Sequence, residues 1–138
     1  MKMPELKNYK LFVSHAWKYD DDYNRLVNLL NNALNFKYSN HSVPKADPLH
    51  VNNAKELEND LRNQIRGTQI VLIIAGMYVN YSKWIQIEID IANAMNKPMI
   101  GIQPFGSERT PIQVQTAVKE MVGWNTSSIL DAIRRNSL

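Results

Sequence analysis

The chain has 138 residues, 44% of them apolar and 21% charged, which suits one soluble domain around a single core. A net charge of +3, with no basic cluster beyond Arg134-Arg135, argues against nucleic acid as a partner, and the lack of cysteine excludes disulfides and thiolate zinc sites. The longest strongly apolar run, Ile70 to Val79, is too short to span a bilayer, and the N-terminus lacks the layout of a signal peptide, so the expectation is a cytoplasmic protein with no membrane partner.

In chain order, Tyr9-Lys10-Leu11-Phe12-Val13-Ser14 reads as a short buried strand, followed by His15-Ala16-Trp17 and the acidic turn Asp20-Asp21-Asp22. A helix follows, with Tyr23, Leu26, Val27, Leu30, Ala33 and Leu34 at helical spacing. Its aspartates sit where the helix dipole favours negative charge, a simpler account of them than a metal site. Phe36 to Val43 alternates loosely as a second strand, and Pro44 to Asn53 is a loop. Asn53 is placed to cap a helix over Ala54–Arg66, with Glu56 at the capping-box position and a stripe of Ala54, Leu57, Leu61 and Ile65. Ile70-Val71-Leu72-Ile73-Ile74 is an uninterrupted apolar run, hence a central strand covered on both faces. Gly76 to Tyr81 reads as a loop.

Ser82 then reads as the N-cap of a helix through Met95. Wound at about 100° per residue, Gln86, Asp90 and Asn93 share a polar arc and apolar residues cover most of the rest. Glu88 falls about 40° from Trp84, in the middle of the apolar face. Desolvating a lone carboxylate is expensive, so Glu88 needs a partner or a cleft. Asn96-Lys97-Pro98 stops the helix, Met99–Ile102 is a fourth strand, and Phe105 to Arg109 is a loop. Thr110-Pro111 carries a cap and a first-turn proline for the next helix, Met121–Trp124 reads as a short fifth strand, and a last helix runs from about Ser127 to Arg135, with Ser128 and Asp131 at capping-box spacing.

Strands alternating with helices at this spacing predict βαβ units: an α/β, flavodoxin-like doubly wound parallel sheet of five strands, order 2-1-3-4-5, in one domain over residues 1–138. Ligands of such sheets bind beyond the carboxyl ends of the strands, where the order reverses between the first and third. That rule places the Ser14-His15-Ala16-Trp17 loop and the helix carrying Glu88 beside one crevice, with Glu88 about one and a half turns inside its helix. His41 and His50 are too isolated to propose a metal site. There is no glycine-rich phosphate loop after the first strand, and no aspartate ends the third, as a receiver domain requires.

The same residues carry a family resemblance. Tyr9-Lys10-Leu11-Phe12-Val13-Ser14-His15 resembles the first box of TIR (Toll/interleukin-1 receptor) domains, and Ser82-x-Trp84-x-x-x-Glu88 resembles their Ser-x-Trp-x-x-x-Glu segment. From roughly Tyr9 to Arg135 the chain is similar to bacterial TIR-like domains of the Thoeris antiphage-defence type. Two departures point away from receptor-type adaptor signalling: Pro44 to Asn53 lacks the Arg-Asp-x-x-Pro-Gly second box, and Ile85 follows Trp84 where receptor-type domains often have cysteine.

The resemblance implies an NAD+ glycohydrolase or ADP-ribosyl cyclase with Glu88 as the catalytic carboxylate. It implies no cofactor beyond NAD+ as substrate, and ADP-ribose or a cyclic isomer as a signal in antiphage defence. On that reading Ser14, His15, Trp17 and Trp84 line the substrate site, Trp17 by stacking on a base and His15 by bonding a ribose or phosphate. Asp47 adds a contact from a loop able to fold over the cleft. A homo-oligomer or assembly with an effector protein is the implied partner. Each residue also has a plainer role: a buried ion pair of Glu88 with Lys83 or Arg66, a strand-end histidine, core packing for Trp17 and Trp84, and a loop-backbone bond for Ser14. The alternative function is a non-catalytic TIR-like protein–protein interaction module.

Overall fold

The structure, a computed structural model, describes residues 7–14, 21–41, 54–103 and 110–138. Five strands, β1 (Asn8–Val13), β2 (Lys37–Asn40), β3 (Ile70–Ile74), β4 (Met99–Ile102) and β5 (Glu120–Val122), form one parallel sheet in the order β2-β1-β3-β4-β5. Helices α1 (Asp21–Asn31), α2 (Ala54–Arg66), α3 (Ala75–Ala94), α4 (Ile112–Ala117) and α5 (Thr126–Asn136) connect and cover it. The doubly wound, flavodoxin-like arrangement expected from the alternation is the one observed.

β3 is the middle strand, and all five of its side chains are buried. A central parallel strand is packed on both faces, and β-branched residues suit such positions. Leu11, Phe12 and Val13 of β1, with Ile100 and Ile102 of β4, extend this core sideways. Leu26 and Leu30 of α1, Leu61 and Ile65 of α2, and Ile129 and Ile133 of α5 complete it from the helices. At Gly101 a Cβ would overlap Met121 Sδ and crowd Val114 Cγ1, so glycine lets α4 and β5 close onto β4.

Several boundaries differ from the sequence expectation. α1 ends at Asn31, and Leu34, read as belonging to its apolar stripe, is 85% exposed in the following turn. Asn35 and Asn96 adopt φ of 56°, the left-handed region that asparagine tolerates; they turn the chain after α1 and α3. β2 is only Lys37–Asn40. Pro111 is itself the N-cap of α4, without a side-chain bond, in place of the Thr110 cap. In α5 the cap is Asn125, whose Oδ1 accepts from Ser128 N–H at 3.1 Å, so Ser128 is the capped residue. The expected cap Asn53 and the loop Phe105–Arg109 lie outside the described residues.

The largest correction concerns α3. Gly76 to Tyr81 is not a loop and Ser82 is not a cap: the helix begins at Ala75, directly off β3, and Ser82 is an exposed residue within it. Ile74, in extended conformation, is the N-cap and contributes no side-chain bond. Apolar residues on most of its circumference let α3 pack against β3, β4, α2 and α4 together. That burial outweighs the weak helix preference of Gly76, Tyr78 and Asn80.

Candidate functional site

α3 positions the carboxylate that stood out in the sequence. Glu88 is fully buried, 0% exposed, as are Ile85, Ile89, Ile91 and Ala92 of the same helix to within a few per cent. Trp84, one turn earlier, is half-buried and packs against the core. The polar arc is also present: Gln86 Nε2 donates to Asp90 Oδ1 at 2.9 Å, and Tyr78 O–H donates to Gln86 Oε1 at 2.8 Å. The sequence reading missed the Tyr78–Gln86 bond because it assigned Tyr78 to a loop; once the helix starts at Ala75, the two are about two turns apart.

The earlier start changes where Glu88 lies. It stands thirteen residues beyond Ala75, about 20 Å along the axis, rather than one and a half turns inside. Along α3 it is nearer the end that leads to β4 than the end that leaves β3. The two cations considered as partners for it, Lys83 and Arg66, are exposed, and Arg66 Nη1 donates to Asn63 Oδ1 at 3.0 Å.

Ser14 sits where the strand order reverses. It is fully buried; its N–H donates to Leu72 O at 2.8 Å and its Oγ accepts from Ile74 N–H at 2.9 Å. Ser14 is therefore tied to the residue that precedes α3, and its hydroxyl oxygen already serves the backbone. Trp84 and Glu88 share a helix, but Ser14 sits at the β3–α3 junction, about 20 Å from Glu88 along α3, so the two do not flank one crevice as the sequence spacing predicts; His15, Trp17 and Asp47 lie outside the described residues. Across the sheet, His41 follows β2 and donates its N–H to Leu11 O at 2.8 Å; burial, with Lys10 nearby, holds its imidazole below the usual histidine range.

Among the described residues no group of three or more His, Cys, Asp and Glu could hold a metal ion, and no helix is long and apolar enough to cross a membrane. The family model for the Thoeris protein ThsB, TIR-like domain, matches residues 12–109, from within β1 through α3 and β4. The chain belongs to the Thoeris ThsB TIR-like family. No curated protein matches the sequence. The family segment contains Ser14, Trp84 and Glu88, so the end of β1 and all of α3 lie within the ThsB TIR-like match.

Proposed function

We propose that this ThsB TIR-like domain cleaves the nicotinamide–ribose bond of NAD+ and that Glu88 is its catalytic carboxylate. The observation that carries the reading is a carboxylate at 0% exposure on the third helix of a TIR-like domain, one turn beyond Trp84. Nicotinamide leaves as a neutral molecule, so no acid is needed to protonate it. The transition state is oxocarbenium-like, and a carboxylate beside the ribose stabilises its positive charge while bonding the hydroxyls. An enclosed, partly apolar setting strengthens that interaction and keeps stray water out. Attack by water gives ADP-ribose; attack by an adenine nitrogen gives a cyclic isomer, suited to a diffusible signal in antiphage defence.

A fully enclosed carboxylate meets a ribose only after its surroundings move. Assembly of copies, or with an effector protein, would supply the energy, and turnover should then rise faster than linearly with protein concentration. The test is nicotinamide release from NAD+ by wild type and Glu88→Gln over a wide concentration range, with products identified by mass. The expected result is a loss of at least about 100-fold in a Glu88→Gln protein that remains folded. No turnover by wild type at any concentration sinks the reading.

The same burial favours a second reading: Glu88 as a structural group of a non-catalytic interaction module. Removing one member of a buried charge pair costs about 3–5 kcal/mol. Glu88→Gln would then lower stability by that order, and wild type and variant alike would leave NAD+ intact.

A further inference from the structure

We propose that Ser14 is a positioning residue, whose hydroxyl ends the β1–β3 ladder and sets where α3 springs from the sheet. The register pairs Leu11 with Ile70, Phe12 with Val71 and Val13 with Leu72. Ser14 N–H to Leu72 O, at 2.8 Å, continues that ladder. In this register the next donor is Ile74 N–H and the next acceptor is the backbone carbonyl of Ser14. The Ile74 N–H instead meets Ser14 Oγ, at 2.9 Å.

The exchange has a consequence for α3. The Ser14 hydroxyl holds the amide of Ile74, the residue from which α3 departs without a side-chain cap of its own. Both groups are buried, Ser14 and Ile74 at 0% exposure, so water does not substitute for the hydroxyl. One short side chain thereby fixes the origin of the helix bearing Glu88. Its link to catalysis rests on the NAD+ reading; its link to the junction does not.

The experiment compares wild type, Ser14→Ala and Ser14→Thr as full chains. It measures amide hydrogen exchange along β3 by NMR, and KM and kcat for nicotinamide release. Ser14→Ala should raise exchange at Ile74 about tenfold, leave Ile70 to Ile73 near their wild-type rates, and raise KM several-fold with a smaller change in kcat; Ser14→Thr should restore both. If Ser14→Ala does not fold, Ser14→Cys, of similar size and with a weaker acceptor, is read by the same criteria. Unchanged exchange at Ile74, or a uniform rise across β3 at constant KM, overturns the proposal, the latter because it marks only lost stability. If wild type turns over and Ser14→Ala keeps its KM, the positioning role falls while the reaction stands. If wild type releases no nicotinamide, the reaction reading falls, and exchange at Ile74 alone decides whether Ser14 sets the junction.

Discussion

The two edges of the sheet are built differently. At the edge where the strands begin, polar side chains make several bonds each. Gln69 Oε1 accepts from Lys10 N–H at 3.0 Å while its Nε2 donates to Leu138 O at 2.8 Å. Lys97 Nζ donates to Arg66 O at 3.0 Å and Thr68 O at 2.8 Å, placing a cation at the negative end of α2. Glu120 receives two bonds from Arg135, at 2.6 and 3.2 Å, and one from Asn136 at 2.8 Å. At the edge where the strands end, described bonds join neutral groups: Ile74 N–H to Ser14 Oγ, Asn40 Nδ2 to Tyr23 Oη at 2.8 Å, and Trp124 Nε1 to Gln103 O at 2.8 Å. Multiple and charge-assisted bonds, such as those of Lys97 and Glu120, suit an edge that holds the fold together.

This contrast can be broken by substitution at the amino edge, where stability should fall. Gln69→Ala removes bonds to both β1 and the C-terminal segment, and should cost about 1–2 kcal/mol in urea unfolding. Lys97→Met keeps the apolar stem but loses the charge at the end of α2, and should cost about 1 kcal/mol by the same measurement. If neither variant lowered the unfolding midpoint, the amino edge would not be the one that holds the fold together.

The smallest effect is a pH dependence. The bonds from Arg135, then those from Asn136, hold the Glu120 carboxyl below its ordinary value of 4.5. A depressed folded pKa means stability that is complete above the unfolded value and is lost as pH falls through the folded one. Glu120 is largely solvated, so the effect is screened and small. Wild-type unfolding midpoints should drop between pH 5 and the acid range slightly more than those of Glu120→Gln, sharpening the contrast only at low salt.

Much of this architecture was legible in the sequence. The bounds of α2, β3 and β4 follow from an amphipathic stripe between breakers and from apolar runs too short for helices. The start of α3 was not legible, because Gly76, Tyr78 and Asn80 carry local loop preferences that burial against four neighbouring elements overrides. Caps were misplaced by one to three residues at α4 and α5, where several residues compete for one role. Glu88 was conspicuous as a carboxylate on an apolar face, and its burial follows directly. The role of Ser14 was not, because the Ile74 amide it bonds lies sixty residues away and depends on strand register.

The seat at Gly101 has a mechanical corollary. With Met121 and Val114 seated close over Gly101, α4 and β5 are packed tightly onto β4 at that position. α3 leans on α4 and β4 on one side and on α2 on the other. On the NAD+ reading, exposing Glu88 would therefore work like a vice with one fixed jaw, the α4 side being the jaw and the α2 side the one that gives.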